Sequence, residues 1–516
     1  MLSSLFHKGR PALLLMLTLL ALTSCTRRAA EPTAAVEATP TTAPVTAETT
    51  LPSATANAAT PTPASPAAPA DPAAFSGDWE GKISLPGAAL EILVTLTPGT
   101  AWSGTIDVPA QGASGIPLHD IRPESQAIHF EMLSGAQLAT FDGELQGDGS
   151  LRGVFKQAGF TGEFQLARPA AEAEVPLPYS RQPFTFTNGD VTLAGTLTLP
   201  EGEGPFPALL LISGSGQQDR DEAIPTVPGY RPFRQIADLL TRQGFAVLRY
   251  DDRGVGDSTG DALQATSADF ADDAEAGLRA LLADRNIDAT RVGLLGHSEG
   301  GMIAAMIAAR NADVAFVVSM AGSTLPGYDV IIKQVERLTL AGGGSAEEAA
   351  DAANQQTQLL NLAVAQEWSN LQTALEGIAG QQIAAMTEEQ RAAAGDLDAL
   401  MQQQIAAQMQ IFQSPWYQFF LKHDPREDWA KVTVPVLGLY GGKDTQVDAD
   451  SNTAALRTAL DKAGNSDVTL ITLPTANHLF QNAQSGGVDE YSTLEPALMP
   501  EFLNALSQWL RRPPAE

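Results

Sequence analysis

The stretch from Gly293 to Arg310, GLLGHSEGGMIAAMIAAR, constrains this chain more than any other. Val292 to Leu295 reads as the end of a buried strand, and Met302 to Ala309 is a run of strong helix formers with no breaker. Gly296-His297-Ser298-Glu299-Gly300 lies between them, so the strand must pass into the helix over a very sharp turn. Glycines two before and two after Ser298 let strand and helix approach without a Cβ clash, and Gly301 adds another small residue where helix meets sheet. The serine must then take a strained backbone conformation that lifts its hydroxyl above the sheet, the geometry of a G-x-S-x-G elbow. Ser298 is therefore the candidate nucleophile.

The surrounding sequence has an α/β rhythm. Ala208 to Ile212, Phe245 to Tyr250, Val314 to Met320, Val434 to Tyr440 and Thr469 to Leu473 are short, nearly continuous apolar runs. Helical segments alternate with them: Ile236 to Gln243 closed by Gly244, and a segment opened by Thr266-Ser267-Ala268-Asp269 at capping-box spacing that reaches about Leu282. Such strands indicate a mostly parallel sheet buried on both faces. Ahead of it, Phe184 to Thr187 and Val191 to Leu199 are joined by Asn188-Gly189-Asp190, a hairpin signal.

A carboxylate and a histidine fall where a serine nucleophile needs them. Asp444 follows the strand ending in Gly441-Gly442-Lys443, and His478 follows the last strand, giving the order Ser298, Asp444, His478. Asp448 is the rival acid but lies further from the strand end. Of six histidines, His7 falls in the amino-terminal segment, His119 and His129 precede the α/β region, His297 should point away from the serine, and His423 precedes the acid. Only His478 fits.

Three motifs together carry a resemblance. Leu211-Ile212-Ser213-Gly214-Ser215-Gly216 with Asp219-Arg220-Asp221, then Tyr250-Asp251-Asp252-Arg253-Gly254-Val255-Gly256, then Gly296 to Gly301 resemble bacterial α/β-hydrolase carboxylesterases close to the serine-aminopeptidase and prolyl-oligopeptidase-type catalytic domains. The resemblance covers about Phe184 to Trp509. It implies an α/β-hydrolase fold with catalytic Ser298, Asp444 and His478. The oxyanion donors would be the N–H of Glu299, after the nucleophile, and that of Ser215 or Gly214 in the glycine-rich strand exit. It implies cleavage of a small carboxylic ester through an acyl-enzyme, with no metal or organic cofactor. Peptide hydrolysis uses the same constellation, but the region before the hydrolase is too short for the β-propeller of an oligopeptidase. A non-catalytic surface-binding lipoprotein is the remaining alternative.

The ends of the chain point outside the cytoplasm. Lys8 and Arg10 precede the apolar run Ala12 to Leu22, too short to span a bilayer, and Leu22-Thr23-Ser24-Cys25 resembles a lipobox. Residues 1–25 are thus expected to be a lipoprotein signal, with Cys25 the lipid attachment site and the only cysteine of the chain. Residues 26–74, rich in Ala, Thr and Pro, cannot bury enough apolar surface to order and should form a tether. The net charge of −29 argues against nucleic acid and against electrostatic adhesion to anionic lipid, leaving the lipid anchor as the membrane contact of an extracytoplasmic protein. Nothing in the pattern specifies an oligomeric state.

Two further regions complete the plan. Residues 75–170 alternate short strand-like runs with Gly, Pro and Asp turns, including Asp148-Gly149, and predict a small antiparallel β-barrel or sandwich. His119 and His129 there lack the close spacing of a metal pair, so no metal site is expected. The catalytic region, 180–516, is interrupted at about 323–428 by an Ala-, Gln- and Leu-rich helical insertion, with capping signals at Ser345…Glu348, Thr387…Gln390 and Ser414-Pro415. It is expected to act as a cap over the strand ends.

Overall fold

The computed structural model describes residues 72–512 apart from 86–87, 100–101, 109–112, 135–136, 158–159, 170–176, 225, 228, 389–390 and 392–396. The expected signal segment, Cys25, nearly all of the tether, and Gln390 lie outside the described residues. Among these, no helix is long and apolar enough to cross a membrane. The chain divides into two compact units.

Alternation with a period of two produces the first unit. Its strands are β1 (Gly77–Leu85), β2 (Ala88–Thr97), β3 (Ser103–Val108), β4 (Ala113–Glu124), β5 (Ala127–Ser134), β6 (Gln137–Leu145), β7 (Leu151–Gln157) and β8 (Phe160–Ala167). They form a closed barrel in sequence order, β1 pairing antiparallel with both β2 and β8. Inward residues include Trp79, Ile92, Phe130, Phe141 and Phe164; Phe130 and Phe141 stack with centroids 4.7 Å apart. Closure removes the sheet edges that a sandwich would leave. One strand escapes the sequence pattern: β4 carries Pro117, Pro123 and a register shift between His119 and Arg122.

The second unit is built on one sheet. Its strands are β9 (Tyr179–Asn188), β10 (Val191–Pro200), β11 (Phe206–Ile212), β12 (Ala246–Tyr250), β13 (Ile287–His297), β14 (Val317–Met320), β15 (Val436–Gly441) and β16 (Val468–Leu473). Their order is β16-β15-β14-β13-β11-β12-β10-β9, and all neighbours from β16 through β12 run parallel. The β9–β10 hairpin is antiparallel and turns at Gly189, φ 57°. β12 and β14 are wholly buried, which is why their sequences are nearly continuous apolar runs, interrupted by Arg249 in β12 and Ser319 in β14.

Helices cover both faces. α1 (Pro232–Arg242) lies on one face; α2 (Ser267–Leu282) and α3 (Glu299–Ala308) pack on the other. Thr266 and Asp269 form the expected capping box of α2. Between β14 and β15 run α4 (Gly327–Ala341), α5 (Ala346–Val364), α6 (Trp368–Ala385), α7 (Leu397–Gln413), α8 (Pro415–Lys422) and α9 (Pro425–Trp429). Ser345 with Glu348 boxes the start of α5, and Ser414 caps α8, whose first residue is Pro415. α10 (Ala449–Lys462) follows β15, and α11 (Pro500–Leu510) closes the chain on the α1 face. The direction of travel reverses at β11, since β12 and β13 lie on opposite sides of it. The carboxyl ends of β11 and β13 thus form the crevice where ligands bind in such sheets.

Candidate active site

Ser298 stands at the carboxyl end of β13 as the N-cap of α3, with φ 54° and ψ −116°. The glycine spacing explains how that strain is tolerated. A Cβ on Gly296 would lie 2.0 Å from Gly300 O, one on Gly300 would lie 2.2 Å from Ile212 O, and one on Gly301 would lie 2.6 Å from Gly322 Cα. The turn closes because these atoms are missing. Ser298 N–H donates to Met320 O at 2.9 Å, and Ser298 O accepts from Ser323 N at 3.2 Å.

Asp444 and His478 meet in the same way. A Cβ on Gly441 would lie 2.5 Å from Ala476 O and one on Gly442 2.7 Å from Pro474 O, so the two glycines bring the acid loop against the histidine loop. His478 Nδ1 and Asp444 Oδ2 are 2.8 Å apart, and the residues are 4% and 2% exposed. Asp444 Oδ1 accepts from the N–H groups of Gln446 and Val447, both at 2.8 Å. That leaves Oδ2 for the imidazole and fixes its Nδ1–H tautomer. Among the described residues no hydrogen bond joins Ser298 to His478; such contacts often tighten only when substrate is present. Asp448 is placed otherwise: it caps α10 through Ser451 N–H and pairs with Arg337.

The loop after β11 corrects one expectation. The Gly214 N–H donates to Glu222 Oε1 at 2.9 Å, so Gly214 gives way to Ser215 as candidate donor. Ser215, Ser298 and Glu299 line one cavity. The Glu299 N–H, in the first turn of α3, has no intrahelical acceptor.

The Asp219-Arg220-Asp221 and Asp251-Asp252-Arg253 motifs lock that loop to the sheet. Arg220 Nη2 bonds Asp251 Oδ2 at 2.5 Å, Arg249 pairs with Asp221, and Arg253 Nε reaches Asp273 at 2.7 Å. Asp252 accepts from Ser213 Oγ and Gln218 N–H, both at 2.9 Å, and burial pushes its carboxyl up to about 8.

The contacts of three side chains escaped the sequence reading. The Glu299 carboxylate, 2% exposed, accepts from Ser267 Oγ at 2.6 Å and Trp416 Nε1 at 2.9 Å; burial raises its pKa although these donors and Ser215 oppose the shift. Trp416 lies on α8 and stacks on Phe420, centroids 5.6 Å apart. Glu222 bridges Gly214 and His297. No local spacing signals these contacts, which join residues far apart in the chain.

The cavity beside Ser298 has room for about 20 Å³ and is lined also by Val330, Ile331 and Phe420. Phe419 instead stacks on His423 at 5.0 Å. A wider cleft of about 630 Å³ lies between Asp424, Arg426 and Lys462, and Ser298 is not among the residues that line it.

In the barrel, His129 does have companion carboxylates, contrary to the expectation from spacing. Ligand atoms of Asp120, His129 and Glu131 lie within 4.8 Å of one another, and Asp142 Oδ1 is 2.6 Å from His129 Nδ1. Strand pairing gathers them from β4, β5 and β6. They are partly solvated, and Asp120 is engaged by Arg122 at 2.9 Å.

Residues 230–484 match the family model described as serine aminopeptidase, S33. Esterase EstD of Thermotoga maritima is 27% identical over 349 residues, covering 66% of this chain and 72% of that protein. The C-terminal unit has the α/β-hydrolase fold. Both the family model and EstD support a hydrolase. Among solved structures, the Pyrococcus furiosus esterase Pf2001 aligns at 14% identity over 65% of this chain and 91% of that one, TM-score 0.38. The α/β-hydrolase GrgF from Penicillium sp. sh18 aligns at 18% over 65% and 98%, TM-score 0.38.

Proposed function

We propose that this α/β-hydrolase cleaves carboxylic esters through an acyl-enzyme on Ser298. The observation that carries the reading is the buried Asp444–His478 pair at 2.8 Å, in the same sheet-end region as a serine held at φ 54°. His478 Nε2 takes the Ser298 proton as Oγ attacks the ester carbonyl. Asp444 keeps the imidazole in the Nδ1–H form and stabilises its cation. The N–H groups of Glu299 and Ser215 hold the oxyanion, each contributing roughly 3 kcal/mol to lowering the barrier. The protonated His478 then releases the alcohol, and water attacks the acyl group with His478 again as base.

α8 serves as part of a cap. Phe420 faces the cavity and Trp416 ties the helix to Glu299. A space of about 20 Å³ holds roughly one water, so a longer acyl chain enters only if this wall gives way. Cys25 anchors the mature protein outside the cytoplasm, and Cys25→Ser should release it from the membrane fraction with turnover unchanged.

The match to a serine aminopeptidase family keeps peptide hydrolysis as the second reading. Turnover of short-chain aryl esters against aminoacyl and dipeptidyl arylamides separates the two, combined with labelling by a fluorophosphonate. Ester turnover with labelled Ser298 is the expected result. Faster amide turnover would make it a peptidase, and an unlabelled, inactive protein would make it a non-catalytic binding lipoprotein.

A further inference from the structure

Glu222 and His297 lie beside the triad residues, and the mechanism above uses neither. His297 is the last residue of β13, directly before Ser298, and is 3% exposed. Its side chain points away from the serine hydroxyl because neighbours on a strand face opposite ways. That direction carries it under the base: its ring centroid is 4.9 Å from that of His478, and its Nε2 is 3.1 Å from the His478 carbonyl oxygen. Its Nδ1 is 2.8 Å from Glu222 Oε1, which also accepts the Gly214 N–H at 2.9 Å.

Both neighbours of this imidazole are acceptors. A neutral ring has one N–H and can satisfy only one of them; the imidazolium satisfies both. We propose that Glu222 and His297 form a buried ion pair that positions the His478 backbone and the Gly214–Ser215 loop together, so that turnover requires a charged His297. The proposal rests on the reading of Ser298 and His478 as nucleophile and base, and both residues act as positioning residues.

The surroundings are consistent with that charge. Burial works against the imidazolium, but the Glu222 carboxylate outweighs it, with help from the His478 carbonyl and Asp444, and the pKa is raised. The titratable groups facing His297 are Glu222, Asp444 and the His478 ring; those facing Glu222 also include Asp219, Asp252 and Tyr230. Tyr230 donates to Leu479 O at 2.5 Å, gripping the next carbonyl of the same segment. As pH rises through the pKa of His297, the remaining N–H stays with the carboxylate and the His478 carbonyl loses its donor. kcat should therefore descend on the alkaline side. Glu222→Gln lowers that pKa and moves the descent to lower pH, while its amide oxygen still accepts from Gly214. His297→Gln removes the titration.

The test uses the full chain with p-nitrophenyl acetate, following kcat and KM from about pH 5 to about pH 10 and counting active sites with a fluorophosphonate. For Glu222→Gln we expect kcat about ten- to a hundredfold lower near pH 8, KM within about twofold, and the alkaline descent displaced downward by about one pH unit or more. For His297→Gln we expect a low kcat with no alkaline descent. A Glu222→Gln enzyme that labels fully and descends where the wild type does would overturn the pair. A wild type that neither labels nor turns over ester overturns the serine-hydrolase reading instead. Should a variant fail to fold, ¹⁵N spectra of the histidine rings in the wild type decide: two ring protons on His297 at neutral pH are expected, and one overturns the proposal.

Discussion

The two units each rest on eight strands, yet they dispose of the second face of a sheet in opposite ways. The barrel rolls its antiparallel sheet shut, so each strand has one buried face and reads as an alternation, such as β7 or β8. The α/β unit keeps its sheet open and covers both faces with helices, leaving strands such as β14 buried throughout. The buried polar residues divide just as sharply. Among the described residues of the barrel only Ser150 is a buried polar side chain, whereas the α/β unit buries Glu222, Asp252, Asp273, His297, Glu299, Asp444 and His478. Burying a carboxylate is costly unless hydrogen bonds replace its water. A fold that does so repeatedly at one end of its sheet has concentrated its chemistry there, and the barrel has not.

The largest expected effect tests that division directly. Ser298→Ala or His478→Ala should each lower kcat by about 10⁶ with the fold intact, because the residues act as one unit. Circular dichroism with ester kinetics checks both. Substantial turnover in purified Ser298→Ala would place the nucleophile elsewhere. Asp444→Asn follows at about 10⁴, since an amide at that position favours the wrong imidazole tautomer. Asp448→Asn should instead cost a little stability by removing the charge that pairs with Arg337, because asparagine still caps α10, and leave kcat nearly unchanged. The reverse pattern would move the acid to Asp448.

How much of this was legible in the sequence follows from how local each cause is. The elbow could be read because Gly296, Gly300 and Gly301 lie within a few positions of Ser298, so the pattern is local even though the backbone that Gly300 and Gly301 admit, at Ile212 and Gly322, is distant in the chain. Gly441 and Gly442 mark the acid loop in the same way. Glu222 is 75 positions from His297, and Trp416 is 117 from Glu299, so only the folded sheet brings them together. That Phe420 and not Phe419 forms the pocket wall depends on one position of a helix, about 100° of rotation, which composition does not supply. The carboxylates around His129 likewise come from strand register rather than spacing.

A smaller effect concerns the cap. Trp416→Phe keeps an aromatic ring over Phe420 but removes the indole N–H from the buried Glu299 carboxylate, loosening α8 beside the cavity. The ratio of kcat/KM for butyrate against acetate esters should shift by about tenfold, with the acetate rate changing less. An equal loss on every chain length would mean that α8 is packing and not a cap.

The smallest effect on turnover is expected from the most damaging change to the barrel. Phe141 is fully buried and touches Phe130, Phe155 and Phe164 at centroid distances of 4.7, 5.0 and 5.4 Å, so Phe141→Ala opens a void in the middle of that core. The loss should be about 3–5 kcal/mol of barrel stability, read as an earlier first transition in calorimetry. Among the described residues no charged group is buried in the barrel core, and the nucleophile, acid, base and oxyanion candidates all belong to the other unit. kcat/KM on a soluble p-nitrophenyl ester should accordingly stay within about twofold of wild type at temperatures below that transition. A drop in kcat that tracks barrel unfolding would erase the contrast between the two sheets, because the barrel would then be part of the machinery that its apolar interior argues against.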